Sequence, residues 1–197
     1  MGKRKLEKAL GLYRERHPDV PEPAVRWLSF QLNPDLPESG IPREEYVARK
    51  FGARGKSVSE RVTMAGRQVG IPFAYDKMKV QPNTVNAHRL MCHAERNGRQ
   101  DALAEELFRA HFMEGANLTD RETLADIAVR AGLDRKAASD YLASDADRDT
   151  IARADVEARG AGIGGVPFFI FNRKVGISGA QDPETLLAAM EQALAEG

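Results

Sequence analysis

The stretch Gly164-Gly165-Val166-Pro167-Phe168-Phe169-Ile170-Phe171 decides how this chain is interpreted. Its glycines predict a turn, and its aromatic run predicts a strand that begins directly after Pro167. Proline has no N–H to donate, so it suits the first residue of a strand beside an open groove. An X-Pro bond also tolerates the cis form, because the trans preference falls to about 0.5–1 kcal/mol there. A second strand over 175–178 and a C-terminal helix running to Leu194 complete the predicted tail.

The rest of the chain divides into a short N-terminal part and a long helical middle. Residues 3–16 place Leu6, Ala9, Leu10 and Tyr13 at helical spacing, and 25–32 resembles a strand that ends at Asn33-Pro34. From Ile41 to about Arg159 the signals are helical, with helices predicted over 57–69, 84–97, 101–113, 122–131, 136–142 and 147–159. Two β-rich ends around a helical middle predict a fold that is interrupted by a helical insertion.

Composition excludes several classes of function. The 197 residues are 42% hydrophobic and carry 29 basic and 29 acidic side chains, so no net field favours nucleic acid or a membrane surface. No apolar run approaches the roughly 20 residues of a membrane span, and the N-terminus lacks the apolar core of a signal peptide. The single cysteine, Cys92, cannot form an internal disulfide. We therefore expect a cytoplasmic protein.

Five spaced motifs carry a resemblance to a known family. Gly-Val-Pro ahead of a hairpin and a final helix is similar to the end of thioredoxin-fold proteins. The closer resemblance is to DsbA-like proteins of FrnE type, whose relatives include 2-hydroxychromene-2-carboxylate isomerases and kappa-class glutathione transferases. The matching motifs follow the family's order over nearly the whole chain: Gly2–Leu10, Phe30–Pro34, Asn83-Thr84 with Ala87–Leu90, Leu107-Phe108 with Phe112 and Glu114-Gly115, and the tail from Val166 to Gln181.

The resemblance implies an α/β, thioredoxin-like fold with an inserted helical domain. The thioredoxin-like domain is expected over 1–40 and 160–197, and the helical domain over 41–159. FrnE-like proteins place a strand and a Cys-Pro-Trp-Cys-type motif a few residues before the segment that Gly2-Lys3-Arg4 matches. The first strand of the sheet and both redox cysteines are therefore expected to be missing here, through a truncated or misplaced start.

The resemblance also implies where a substrate would bind. Val166 and Pro167 are expected to form the cis-proline wall of a thiol or glutathione site, with the Val166 backbone pairing with an extended substrate. Ser178 and Gln181 lie near the N-terminus of the last helix, where free N–H groups attract a ligand carboxylate. The alternative is an N-cap by Asp182 with Pro183 at the first helical position. Asn83 is a candidate for the same groove, although an N-cap is its simpler role.

Cys92 is a weaker candidate for chemistry. His88 precedes it by four residues, so the two could form a nucleophile with its base or half of a metal site. The remaining histidines form no spacing signature for a metal, and no metal site is predicted. A cysteine in a Leu-Met-Cys helical run is more typical of a small buried hydrophobe.

Three functions stay open at this point. The first is a FrnE-like thiol–disulfide oxidoreductase, which we expect to be inactive as given because no residue here can serve as the catalytic cysteine. The second is a glutathione-dependent isomerase or transferase, with glutathione as a co-substrate and no other cofactor. The third is a redox-inactive binding protein, completed by a partner strand in a homodimer. The expected partners are a thiol or disulfide protein or a glutathione-linked small molecule, without nucleic acid or membrane.

Overall fold

The computed structural model describes residues 1–195 and contains two compact units. We call Met1–Val25 together with Ala158–Gly197 the hairpin unit, and Arg26–Glu157 the helical unit. Residues 196 and 197, which end the predicted thioredoxin-like range 160–197, lie outside the described residues. Residues 26–40 belong to the helical unit, whereas the sequence assigned them to the thioredoxin-like domain. The domain assignment itself stays a prediction.

The hairpin unit packs two helices on one face of a two-stranded sheet. Helix α1 spans Gly2–Arg16, as its apolar spacing predicts, and buries Leu6, Ala9 and Tyr13. These side chains pack against the C-terminal helix Pro183–Ala195, which buries Leu186, Leu187 and Met190. The strands add Phe169, Phe171 and Ile177 to this cluster. Alternation along the strands puts Phe168 and Ile170 on the opposite face.

The two strands form a tight antiparallel hairpin. Phe168–Phe171 pairs with Val175–Ser178, and Phe168 lies opposite Ser178. Both strands agree with the predicted bounds. The chain reverses through Asn172 and Arg173, which have φ of 47° and 60°, and Lys174 N–H donates to the Phe171 carbonyl at 2.9 Å. Two consecutive positive φ values match the right-handed twist of the flanking strands.

The helical unit contains most of the remaining elements. In chain order they are β1 Ile41–Pro42, α2 Arg43–Phe51, α3 Gly55–Arg67, β2 Val80–Gln81, α4 Val85–Arg96, α5 Gln100–Arg109, α6 Arg121–Arg130, α7 Arg135–Ala143 and α8 Arg148–Gly160, which runs on into the hairpin unit. The hairpin strands are therefore β3 and β4, and the C-terminal helix is α9. The short strands β1 and β2 pair antiparallel with each other. A single-turn π-helix over Ala110–Glu114 extends α5 and ends at Gly115 with φ of 77°.

The core of the helical unit lies among α4, α5, α6 and α7. Its centre consists of leucines without exposed surface, namely Leu90, Leu103, Leu124 and Leu142. Asp120 and Asp134 cap α6 and α7 by accepting from the N–H groups of Thr123 and Ala137. The completely buried Arg89 donates to the carbonyls of Tyr141, Ser144 and Ala146 and to Asn86 Oδ1, so its polar atoms stay paired inside the protein.

The predicted strand over 25–32 is wrong. This segment has no regular secondary structure and pairs with no strand among residues 1–195, and Leu28 and Leu32 are 68% and 54% exposed. The Gln100 side-chain amide takes the place of a neighbouring strand, because it accepts from Trp27 N–H and donates to the Trp27 carbonyl. Gln31 N–H donates to Asp155 in the same way. Side chains, and not a neighbouring strand, therefore bond to the backbone groups of Trp27 and Gln31.

Within the described residues, none of the helices is long and apolar enough to cross a bilayer.

Candidate functional site

The first helix begins directly against the predicted proline. The Val166–Pro167 peptide is cis, in agreement with the sequence. Gly2, the first residue of α1, is buried so closely against it that an added Cβ would lie 2.7 Å from Pro167 Cγ. Met1 caps this helix without a side-chain hydrogen bond. A helix N-terminus, which carries partial positive charge, therefore adjoins a cis-proline.

The turn after β4 holds Pro167 from the other side. Gly179 N–H donates to the Pro167 carbonyl at 2.9 Å, and Gly179 adopts a φ of 81°. Gln181 stabilises the same turn, because its side-chain amide donates to the Ser178 carbonyl and its backbone N–H to the Gly179 carbonyl. The structure thus brings Val166, Pro167, Ser178 and Gln181 together in the hairpin unit.

Asp182 does not cap α9, contrary to the alternative that the sequence offered. Its carboxylate accepts from Lys5 Nζ at 2.8 Å and from no first-turn N–H group of α9. This hydrogen bond, with the charge of Lys5, lowers the pKa of Asp182. The acid at the start of α9 therefore links the turn to α1.

One edge of β3 has no partner among the described strands. Among the described strands, β3 pairs only with β4. The hydrogen bond from Gly179 N–H to the Pro167 carbonyl shows that Pro167 and, within β3, Phe169 and Phe171 are the residues whose backbone groups face β4. By that alternation, the backbone groups of Phe168 and Ile170 point away from β4. Val166 and Ile170 are 51% and 49% exposed, so the edge beside the cis-proline is accessible. An extended chain could pair with these groups as an added strand.

Asn83 belongs to the helical unit, whereas the other candidates belong to the hairpin unit. Its side-chain amide donates to the carbonyls of Leu36 and Pro34, and its oxygen accepts from Val85 N–H at 2.9 Å. The residue is 7% exposed. Asn83 therefore fixes the start of α4 against the preceding loop, and its polar atoms are committed there. The predicted N-cap role is wrong, because the N-cap of α4 is Thr84, which makes no side-chain capping hydrogen bond.

Cys92 and His88 do not form a catalytic pair. The His88 imidazole is buried, although the residue as a whole keeps a partly exposed surface, and it bonds to the Phe30 carbonyl. Burial lowers the pKa of His88 to about 4, against the opposing effects of Asp155 and Phe30. Burial raises the pKa of Cys92, which makes no hydrogen bond within the described residues. Its thiol therefore stays protonated and weakly nucleophilic at neutral pH.

The described residues include no group of three or more histidines, cysteines, aspartates or glutamates placed to hold a metal ion.

Sequence reasoning missed two residues of this site. Gly2 and Lys5 appeared only as letters of the family motif over Gly2–Leu10. A glycine at the first position of a strongly amphipathic helix was the available signal for a close contact. Lys5 offered no such signal, because its partners are 175 and 177 residues away in the chain.

Comparison with known proteins agrees with this geometry. The family described as DSBA-like thioredoxin domain matches residues 1–191. A crystal structure of a probable DsbA oxidoreductase from Streptomyces coelicolor superimposes with a TM-score of 0.88 at 30% sequence identity, over 100% of this chain and 84% of that one. No protein of curated function matches the chain. The predicted thioredoxin-like fold is confirmed, and the chain belongs to the family of DSBA-like thioredoxin domains.

Proposed function

We propose that this chain is a FrnE-like thiol–disulfide oxidoreductase by family, in which the β3 edge at Val166 and Pro167 holds an extended thiol or disulfide substrate. The observation that carries the proposal is the contact of Gly2 with the cis-proline. This contact places a helix N-terminus, which stabilises a thiolate, beside an open strand edge. A substrate strand on that edge would bring its sulfur to the helix end.

The chemistry of this family needs a low-pKa cysteine at that helix end. Its thiolate attacks one sulfur of a substrate disulfide, the S–S bond breaks, and the other sulfur leaves as a thiolate. The sequence has one cysteine, Cys92, which lies on α4 in the helical unit and has a raised pKa. We therefore propose that the chain as given binds substrate but does not catalyse disulfide exchange, and that it acts in the cytoplasm.

A binding measurement tests the groove without any redox step. The probe is a ten-residue apolar peptide with a central S-methylcysteine, which cannot exchange with Cys92. Titration of the ¹⁵N-labelled protein is expected to shift the amide signals of Val166, Phe168 and Gly179. Replacing Pro167 by alanine is expected to weaken binding, whereas the exposed Pro72→Ala change in the helical unit serves as the matched control. Shifts confined to the helical unit, or their absence, contradict the proposal.

A turnover measurement tests the proposed inactivity. Insulin reduction by dithiothreitol is followed with the unmodified protein and with Cys92→Ser. We expect neither protein to accelerate the reaction over buffer. Acceleration that disappears in Cys92→Ser would make Cys92 the reactive thiol and refute this part of the proposal.

The glutathione-dependent alternative has one observation in its favour. Asp182 bonds to Lys5 and leaves the first-turn N–H groups of α9 uncapped by its side chain, so a ligand carboxylate has donors there. S-methylglutathione is the probe for this alternative. Saturable shifts at Ser178, Gln181 and Thr185 with S-methylglutathione, and none with the peptide, would favour the isomerase or transferase. Peptide binding with a dimeric mass in solution would favour the redox-inactive binding protein.

A further inference from the structure

Lys5 joins the first helix to the turn that follows β4. Its ammonium donates to the Ala180 carbonyl at 2.9 Å and to Asp182 Oδ1 at 2.8 Å. The side chain is 23% exposed, so its methylene groups pack against the protein while the charged end reaches the turn. A charged donor to a backbone carbonyl forms a stronger hydrogen bond than a neutral pair.

The turn in question is the one that holds the cis-proline. Ala180 follows Gly179, whose N–H donates to the Pro167 carbonyl at 2.9 Å. Gln181 closes the turn through its contacts with Ser178 and Gly179. Whatever moves the Ala180 carbonyl therefore moves the donor that positions Pro167.

The same helix contacts Pro167 directly. Gly2 packs on the Pro167 ring, and Lys5 lies three residues further along α1, on the same face. The first turn of α1 thus has one contact with Pro167 and a second contact with the turn bonded to Pro167. These contacts form a closed ring of α1, Pro167 and the turn from Gly179 to Asp182.

We propose that Lys5 is a positioning residue of the substrate groove, which sets the separation between the N-terminus of α1 and the β3 edge at Val166. The proposal rests on the proposed function, because it assumes that this edge binds substrate. Lys5 does not touch the substrate. It acts through the Ala180 carbonyl, Gly179 and Pro167.

The two hydrogen bonds of Lys5 differ in their surroundings. The Asp182 side chain is 77% exposed, so the ion pair with it is screened by water and contributes little. The bond to the Ala180 carbonyl is partly buried and does not involve the Asp182 side chain, so we expect it to persist when Asp182 is changed. Removing the ammonium is therefore expected to affect the groove, whereas removing the carboxylate is not.

The experiment measures peptide affinity and folding stability in parallel. The proteins are the unmodified chain, Lys5→Met, Lys5→Arg, Asp182→Asn and the control Lys8→Met, which changes an exposed lysine of the same helix without a hydrogen-bond partner within the described residues. The probe is the S-methylcysteine peptide described above, titrated where every variant is folded. Lys5→Met is expected to weaken binding about tenfold, the equivalent of one charge-assisted hydrogen bond.

The remaining variants separate positioning from stability. Lys5→Arg is expected to restore binding to within about twofold, since arginine can also donate to the Ala180 carbonyl. Asp182→Asn and Lys8→Met are expected to bind like the unmodified protein. A merely structural lysine would lower the melting temperature of Lys5→Met and leave the peptide Kd of the folded protein unchanged, and that result would overturn the proposal.

The two proposals fail in different ways. If the unmodified protein shows no peptide-dependent shifts at Val166, Phe168 and Gly179, the proposed function fails, and the role of Lys5 fails with it. If the unmodified protein binds and Lys5→Met binds equally well, only the role of Lys5 is refuted. Equal losses in Lys5→Met and Lys8→Met would likewise refute it, because they would reflect charge alone.

Discussion

Two leucines without exposed surface, Leu90 in the helical unit and Leu186 in the hairpin unit, have very different surroundings. Leu90 lies inside a cluster to which α4, α5, α6 and α7 all contribute buried side chains. Leu186 belongs to a smaller cluster, in which two helices cover one face of a two-stranded hairpin. The opposite face carries Ile170, which is 49% exposed. A two-stranded hairpin is marginal by itself, so the hairpin unit has less packing to hold it.

The two units also differ in how completely their polar groups are hydrogen-bonded. The helical unit buries Arg89 and satisfies it with Asn86 and three backbone carbonyls. The hairpin unit leaves the outer backbone groups of β3 without a partner among the described residues. Fully paired polar groups make a rigid interior, whereas unpaired strand edges bind other chains. The helical unit therefore has the larger and more fully paired interior, and under the proposed function the hairpin unit supplies the edge that recognises substrate.

The same substitution at both leucines tests this comparison most strongly. Leu90→Ala is expected to lower the free energy of unfolding by about 4 kcal/mol, because the surrounding helices cannot close the cavity. Leu186→Ala is expected to lower the free energy of unfolding by about 2–3 kcal/mol, because the smaller cluster of the hairpin unit can relax and partly fill the cavity. Urea unfolding followed by circular dichroism measures both values.

Val129→Ala, at a 46% exposed position of α6, is the control and should change the free energy of unfolding by less than about 0.5 kcal/mol. A cost at Leu186 equal to or above that at Leu90 would break the comparison, since it would mean that the smaller cluster is packed as rigidly as the larger one.

The second prediction concerns His88 of the helical unit, whose titration makes the stability of the protein depend on pH. Burial lowers the folded-state pKa of His88 from 6.5 to about 4. Between these values the unfolded chain binds a proton that the folded protein excludes, so stability is complete above about pH 6.5 and falls as the pH is lowered toward 4. The loss between about pH 6.5 and 4.5 is expected to be about 2–3 kcal/mol. Urea unfolding at both pH values measures it.

His88→Gln isolates this effect, because glutamine can still donate to the Phe30 carbonyl but does not titrate. His93 and His111, whose pKa values burial also lowers, remain in the variant and act in the same direction. The matched control is His17→Gln in the hairpin unit, at a residue whose ring bonds to Glu191. An identical pH dependence in His88→Gln and the unmodified protein would contradict the assignment.

The sequence predicted the elements that depend on local signals. The hairpin strands and the start of α4 near Asn83 follow from turn residues and apolar spacing, which act over a few positions. The cis-proline was predicted from its Gly-Val-Pro context and the family resemblance. Local chemistry was therefore a sufficient guide to most of the fold.

The failures came from contacts between distant parts of the chain. Residues 25–32 have the composition of a strand, but the backbone of Trp27 bonds to the Gln100 side chain, 73 positions away, instead of to a neighbouring strand. Lys5 was not identified as a site residue because its partners lie near the other end of the chain. No periodicity or spacing in the sequence shows which distant residues are in contact, so the contacts of Lys5 with Ala180 and Asp182 were found only in the structure.

Two glycines of α1 allow a matched test at the site itself. In Gly2→Ala the new methyl group would lie 2.7 Å from Pro167 Cγ, so the helix or the proline must move. We expect a cost of about 1–3 kcal/mol and weaker binding of the S-methylcysteine peptide. Gly11→Ala meets no atom within 4 Å and should stabilise the helix by about 0.5–1 kcal/mol. Urea unfolding and the peptide titration give both results, and a neutral Gly2→Ala would refute the close packing of α1 on Pro167.

The smallest expected effect concerns the turn of the hairpin. Arg173 has a φ of 60°, a conformation in which a side chain is strained and glycine is not. Arg173→Gly creates the Asn-Gly sequence that this turn type prefers, and should stabilise the protein by about 0.5–1 kcal/mol. Hydrogen exchange of the β3 and β4 amides should slow while that of α4 stays unchanged, because the gain lies in the less stable unit. Lys174→Gly, next in the chain at a position without positive φ, is the control and should not stabilise. If exchange slowed equally in α4, the two units would open together, and the difference in stability between them would not hold.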